Sequence, residues 1–241
     1  MKRLLTLIGS LAVVGLLMAV VTYRFLLPLY SNSQSNSLDP IASWFRDPAS
    51  RPGLTTRMEG QACPGAPFIL PSDGFIGLLW DDPAGPYTVL GTHSGIDIFG
   101  DGEAGTVPVR AVYDGYLTRL DEWLSTVIIR HDDPLETGRT IWTYYTHMAP
   151  RDGSESYIVE SFPAGTIEAP VKQGDLLGYQ GEFAGAGRVP IGLHVHFSIV
   201  LSEADGSFKN EALTANTLDP SPYFGMMMRI SDWPERPIGC T

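Results

Sequence analysis

Three short stretches, widely separated in a chain of 241 residues, hold four of its five histidines. They read Gly91-Thr-His-Ser-Gly-Ile-Asp97, Tyr145-Thr-His147 and Gly192-Leu-His-Val-His-Phe197. Imidazoles and carboxylates are side chains that hold a zinc ion and carry protons in hydrolysis. A fold that brings the three stretches together would therefore build one metal site, with ligands and further histidines around them.

The last stretch has the pattern of a strand. Residues 193–200 alternate and are rich in β-branched and aromatic side chains, which is typical of a half-buried strand. Because side chains two apart on a strand point to the same face, His194 and His196 share a face. His93 and Asp97 are also an even number of residues apart, and the glycine between them permits a close backbone approach. All four side chains can reach one cation.

The number of ligands indicates zinc. A catalytic zinc usually takes three protein ligands and leaves its fourth position to water. His93, Asp97 and one of His194 and His196 meet that requirement, and strand geometry does not say which of the pair it is. His147 and the other histidine of the pair would then accept the proton of water and donate to the oxyanion of the intermediate. The nitrogen and oxygen ligands favour zinc, although they would also accept cobalt, nickel or copper.

These motifs and those between them resemble the lysostaphin-like or LytM-type zinc endopeptidases, which cut peptide bonds in bacterial peptidoglycan. The motifs follow the family order over roughly residues 70–205. Ser198 stands where a glutamate often follows His-Phe in this family. The matching segments are His93-Ser-Gly-Ile-Asp97, Val109-Arg-Ala-Val-Tyr-Asp-Gly115, Val127-Ile-Ile-Arg-His131, Tyr145-Thr-His147, Val171-Lys-Gln-Gly-Asp-Leu-Leu-Gly-Tyr-Gln-Gly181 and His194-Val-His-Phe197.

The resemblance implies roles that spacing alone does not separate. It assigns His93, Asp97 and His196 to Zn²⁺, and His147 and His194 to catalysis, with a peptidoglycan peptide as the substrate. The alternatives are a non-catalytic regulator of a cell-wall amidase and a zinc endopeptidase that acts on proteins.

One tyrosine is a further candidate for the site. Tyr144 and Tyr145 fall on opposite faces of a strand, so only one of them can line a cleft. Tyr145 shares its face with His147, which makes it a candidate for hydrogen bonding to the intermediate. An ordinary packed tyrosine is the alternative.

The fold class follows from how short the apolar runs are. The chain has 26 glycines and 19 prolines, spaced between β-branched runs, which predicts an all-β fold of antiparallel hairpins with little helix. The resemblance implies a LytM-like sheet or sandwich, the duplicated hybrid motif. The predicted strands span residues 69–80, 87–89, 107–113, 116–120, 126–130, 141–147, 176–180 and 194–200.

The amino terminus predicts export. Lys2 and Arg3 precede an uncharged run, residues 4–23, that is about as long as a membrane-spanning helix. We expect an anchor with the later residues extracytoplasmic, and the alternative is a cleaved signal peptide and a secreted protein. The predicted organisation is an anchor or signal segment (1–30), a flexible linker (31–59), the peptidase domain (60–206) and a C-terminal extension packed on it (207–241).

The cysteines and the net charge agree with export. Cys63 and Cys240, the two cysteines of the chain, predict one disulfide in an oxidising compartment. The net charge is −11, whereas nucleic-acid binding needs a positively charged surface, so we expect no nucleic-acid partner. The N-terminal helix would attach the protein to the membrane.

Overall fold

Antiparallel strands dominate the computed structural model, which describes residues 13–84, 91–187 and 191–241. The strands are β1 (Phe75–Ile76), β2 (Ile96–Phe99), β3 (Pro108–Arg110), β4 (Gly115–Arg119), β5 (Val127–Asp132), β6 (Thr140–Thr146), β7 (Thr166–Val171), β8 (Leu176–Tyr179), β9 (Val195–Leu201) and β10 (Thr217–Leu218). The predicted antiparallel β architecture is confirmed.

Helices are short. They are α1 (Leu27–Ser33), α2 (Leu38–Arg46), α3 (Arg51–Leu54) and α4 (Ser221–Phe224), with residues 13–21 also helical. A π-helical turn covers Thr22–Leu26, and 3₁₀ turns cover Pro48–Ser50, Thr214–Asn216 and Ile230–Asp232.

The order of the strands places the histidine motifs side by side. The larger sheet runs β1-β2-β9-β6-β5-β4-β7, with β10 also paired to β9, while β3 and β8 form a separate pair. In this order β9 lies between β2 and β6, so Asp97 pairs with His196 on one side and Thr146 pairs with it on the other. Residues that are about one hundred positions apart in sequence therefore become direct neighbours.

Strand β9 separates the core from the site by its alternation. Val195, Phe197 and Ile199 are fully buried in the main apolar core, and the two-residue period sends His196 to the opposite face. Gly95 lies against the backbone of this strand, because a Cβ on it would lie 2.0 Å from the carbonyl oxygen of Phe197. The close approach expected at this glycine is present.

Several strand predictions differ from the structure. The predicted strand 69–80 is reduced to β1, since Pro71 removes a ladder hydrogen bond before it. Strands β2 and β7 were not predicted, and β7 contains both Pro170 and Glu168 at a φ of 53°, which weaken its strand pattern. The predicted strand 87–89 lies outside the described residues.

The segment 31–59, expected to be a flexible linker, contains helices α2 and α3. Helix α2 places Ile41, Trp44 and Phe45 on one side at helical spacing, which is the pattern of a helix that packs on a core. Trp44 is 2% exposed and stacks on Phe75 with ring centroids 5.3 Å apart. The apolar face of α2 therefore docks on the sheet.

A membrane-spanning helix is not found within the residues that the structure covers. None of the helices among them has both the length and the apolar character needed to cross a bilayer. Residues 1–12, which hold the first half of the predicted span, lie outside the described residues.

The predicted disulfide is present and closes the domain. Cys63 and Cys240 are bonded across a sequence separation of 177 residues. Between them the C-terminal residues contribute Tyr223, Phe224 and Met228 to the main core. The extension is therefore part of the folded domain.

His131 is buried in the core, away from the other described histidines. Its Nδ1 donates to the carbonyl oxygen of Asp114, and its Nε2 lies 2.7 Å from Oγ1 of Thr143. Burial is the main reason why the pKa of His131 falls to about 4, and the nearby Arg130 lowers it further. The imidazole is therefore neutral at neutral pH.

We expect this histidine to make the fold acid-sensitive. The unfolded chain binds a proton at the usual pKa of 6.5, whereas the folded chain binds it only near 4, so stability is lost as the pH falls between these values. Over the whole window the loss is roughly 3 kcal/mol. Urea unfolding at a series of pH values should show this slope in the wild type and a shallower one in His131→Gln. Equal slopes would contradict the assignment.

Candidate metal centre

Three side chains meet at the junction of β2 and β9. Nε2 of His93 lies 3.1 Å from Oδ1 of Asp97 and 3.0 Å from Nδ1 of His196, and the last two atoms are 2.9 Å apart. Ligand atoms bound to one tetrahedral zinc at 2.0–2.1 Å would be separated by roughly 3.3 Å. The donor types and their separations therefore fit a zinc ion with three protein ligands.

Hydrogen bonds and strand pairing fix which ligand atoms face the ion. His93 precedes β2, and its Nδ1 donates to the carbonyl oxygen of Leu79 at 3.0 Å, which leaves Nε2 directed at the cluster. The backbone N–H of His93 donates to the carbonyl of Asp82, so the turn before β2 is also held. Asp97 and His196 are paired residues of neighbouring strands. All three ligand candidates are buried.

The electrostatics of the cluster favour a cation. Burial raises the pKa of Asp97, but His93, His194 and the hydrogen bond from His196 outweigh it and hold this pKa well below its usual range. Burial lowers the pKa of His196, but Glu211 and Asp97 outweigh it and raise this pKa to about 10. The site thus attracts positive charge, and a metal ion at this position would displace the proton from Nδ1 of His196.

Glu211 was not among the predicted site residues. Its Oε1 accepts hydrogen bonds from Nε2 of His196 at 2.8 Å, from Oγ of Ser94 at 2.7 Å and from Oγ of Ser198 at 3.0 Å. Burial raises the pKa of Glu211, but His196 and the two serines outweigh it and lower this pKa to about 2. The carboxylate holds the Nε2–H of His196, so that Nδ1 is the nitrogen available to a metal.

No local sequence pattern marks Glu211, because it lies beyond the end of β9 in an irregular segment. The one signal was Ser198, which stands where the family often has a glutamate. Ser198 donates to Glu211, so the carboxylate at this position comes from a different part of the chain.

His147 and His194, which the resemblance assigned to catalysis, lie beside the cluster. Their ring centroids are 4.6 Å apart, and their Nδ1 atoms donate to the carbonyl oxygens of Phe183 and Gly192, each at 2.7 Å. Burial is the main reason that the pKa of each imidazole falls, to about 3 for His147. Both rings are therefore neutral at neutral pH, with Nε2 as the atom that can accept a proton.

The face predicted for Tyr145 is wrong. Tyr145 is fully buried in the core, where its hydroxyl accepts from the backbone N–H of Val112, and burial raises its pKa. Tyr144 lines the cleft instead. The prediction assumed that alternation continues to His147, but β6 ends at Thr146 and His147 has a φ of 77°. This left-handed backbone turns the imidazole back to the face of Tyr144.

Three of the histidines open onto one cleft. It has a volume of about 430 Å³, and both apolar and polar groups line it. His93, His147 and His196 reach its floor, and Glu122, Trp123, Tyr144 and Phe183 contribute to its walls. The cleft can therefore admit an extended peptide next to the metal ligands.

Neither a protein-family model nor a curated protein sequence matches the chain. It is similar to the solved structure of the antimicrobial peptidase lysostaphin from Staphylococcus simulans, at 20% identity over 62% of this chain and 48% of that one, with a TM-score of 0.39. It is also similar to a protein described as the glycyl-glycine endopeptidase LytM from Ruminococcus gnavus, at 26% identity over 57% and 49% of the two chains, with a TM-score of 0.36.

A mutant catalytic domain of the prophage-encoded M23 protein EnpA from Enterococcus faecalis is similar at 22% identity, over 61% of this chain and 91% of that one, with a TM-score of 0.34. The chain spans about half the length of the lysostaphin and LytM structures. These structures are peptidases of the lysostaphin and LytM type, which the motifs of the chain resemble.

Removing the carboxylate behind His196 should weaken metal binding. We expect Glu211→Ala to lower zinc affinity by about 10- to 100-fold, because the ring of His196 loses the partner that fixes its orientation. Competition with a chromogenic chelator measures this change. Glu122→Ala, which removes another acid from the same cleft, is the matched control and should retain wild-type affinity. Equal affinities for the two variants would refute the role of Glu211.

Proposed function

We propose that the protein is a zinc-dependent endopeptidase that hydrolyses peptide bonds in peptidoglycan cross-links or stem peptides. The observation that carries the proposal is that two kinds of group lie side by side at the edge of one cleft. His93, Asp97 and His196 supply three ligand atoms within 4.8 Å of one another. His147 and His194 lie beside them with their Nδ1 atoms occupied by carbonyl groups.

This arrangement gives each histidine a chemical task. Zinc, when bound, polarises a scissile carbonyl and lowers the pKa of water. One of His147 and His194 accepts the proton of the attacking water at its Nε2, and the other stabilises the oxyanion that develops on the substrate. The hydrogen bonds to Phe183 and Gly192 hold both rings in place before the substrate arrives. The two rings therefore need little reorganisation during the reaction.

The motif order supports peptidoglycan as the substrate. The similarity to LytM-type endopeptidases covers roughly residues 70–205 and includes the glycine-rich turn and the strands that frame the cleft. The net charge of −11 does not favour strong electrostatic adhesion of the protein to an anionic cell wall. The N-terminal segment would therefore keep the protein near its substrate.

We further propose that residues 4–23 anchor the protein in a membrane, with the later residues extracytoplasmic. Lys2 and Arg3 before this run support the orientation. Apolar side chains of the described part of this segment, among them Leu16, Leu17 and Met18, are exposed. The disulfide between Cys63 and Cys240 supports an oxidising compartment.

Substitution of the two kinds of histidine should separate metal binding from catalysis. We expect His147→Ala to reduce hydrolysis of muropeptides by at least about 100-fold while zinc content stays near that of the wild type. His93→Ala should lose both zinc and activity, because it removes one of three ligands. Atomic absorption and chromatography of released muropeptides measure the two properties. Wild-type turnover by His147→Ala would reject the assignment.

A substrate comparison tests the function itself. The purified full chain is incubated with peptidoglycan and with an unfolded protein substrate, each with and without a chelator. Chelator-sensitive release of muropeptides, with little cleavage of the protein, is the expected result. Cleavage of the protein alone would indicate a protein endopeptidase. If the zinc-loaded chain cleaves neither substrate but stimulates an added cell-wall amidase, the protein is a regulator.

A further inference from the structure

Phe45, at the end of helix α2, lies against the segment that carries His194. Its ring meets Phe99 edge to face, with centroids 5.5 Å apart and an interplanar angle of 88°. It also covers Gly192, because a Cβ at that glycine would lie 2.4 Å from Cζ of Phe45. A phenylalanine that is 47% exposed is thus packed on two residues next to the site.

Both residues that Phe45 contacts also contact the imidazole of His194, which lies in addition against the ring of His147. The carbonyl oxygen of Gly192 accepts from Nδ1 of His194 at 2.7 Å. The ring of Phe99 lies 4.9 Å from the imidazole and is tilted by 30° to it. His194 precedes the first residue of β9, and its backbone N–H donates to the carbonyl oxygen of Gly181 at 3.2 Å. Its Nε2 lies 3.7 Å from Oδ1 of Asp97, and Gly192 and Phe99 contact the imidazole on the side of α2.

Helix α2 is itself firmly attached. At its start Oγ of Ser37 donates to the buried carboxylate of Asp82, and at its end Trp44 stacks on Phe75. Nε of Arg51 donates to the carbonyl of Trp44 at 3.0 Å, and its guanidinium pairs with Asp101. Phe45 is therefore held by a helix that is fixed to the sheet on both sides.

We propose that α2 is a clamp on the active site, in which Phe45 is a positioning residue for His194. This inference rests on the proposed function, because it takes His194 to be catalytic. Phe45 prevents the segment at Gly192 from moving outward and keeps Phe99 against the imidazole. The catalytic unit therefore includes residues that precede the motif-bearing region. Loss of the clamp lets the ring of His194 turn, while the three metal ligands stay where they are.

The test uses the full chain with zinc bound. Phe45→Ala should lower kcat for muropeptides by about 10- to 100-fold, because a small misplacement of a catalytic group is costly. KM, zinc affinity and the thermal midpoint should change little. Leu38→Ala, which truncates another exposed apolar residue of the same helix, is the matched control and should keep wild-type kcat. Phe45→Leu should recover most of kcat, because it again covers Gly192.

A second pair of variants tests the contact directly. Gly192→Ala introduces a methyl group where the ring of Phe45 lies, so it should lower kcat by displacing the segment. In the Phe45→Ala background the same methyl group has room, so the double variant should have a kcat close to that of Phe45→Ala, a smaller loss than the two single losses combined. Additive losses in kcat would overturn the clamp. A full kcat in Phe45→Ala would overturn it as well.

Nitrogen NMR of the imidazoles makes the outcome independent of hydrolysis. In the wild type the Nδ1–H of His194 should give a hydrogen-bonded signal, and in Phe45→Ala this signal should broaden or shift while those of the zinc ligands remain. A signal for His194 that is unchanged in Phe45→Ala would reject the clamp even if the protein is a peptidase. Absence of hydrolysis by the wild type, together with the expected NMR change, would reject the proposed function and leave the positioning of His194 by α2 intact.

Discussion

The pairing of β9 between β2 and β6 is the constraint on which the site depends. It sets Asp97 opposite His196 on one side and brings the end of β6, with His147, to the other side. Since the side-chain period of a strand is two, a slip of one residue on β9 would send its histidine into the core. The fully buried Val195, Phe197 and Ile199 oppose such a slip. The hydrophobic core therefore determines the geometry of the metal ligands.

Where side chains alternate regularly along a strand, the sequence alone predicted which of them share a face. Even spacing paired His93 with Asp97 and His194 with His196, the resemblance singled out His196, and the structure brings His93, Asp97 and His196 together. The same rule failed for Tyr145, because the strand ends one residue before His147. A left-handed residue at that position is a local backbone feature with no signature in the pattern of apolar residues. The error thus arose where the backbone at His147 departs from the regular strand.

Contacts between distant segments were beyond what the sequence could show. Glu211 reaches His196 from an irregular segment, and α2 reaches His194 from a region whose serines and prolines are typical of a linker. The sequence of neither segment identifies the residue that it contacts, because the tertiary fold determines which segments pack together. The motif region holds the candidate ligands and the histidines beside them, and the flanking regions hold the side chains that contact them.

The position of Glu211 along the chain has a consequence for biosynthesis. A chain that emerges amino terminus first exposes all its histidines before the carboxylate that orients His196 and before the core residues Tyr223 and Phe224. The candidate metal site of a nascent polypeptide is therefore incomplete until its last segments have folded. The disulfide bond between Cys63 and Cys240 then links the two ends of the folded domain.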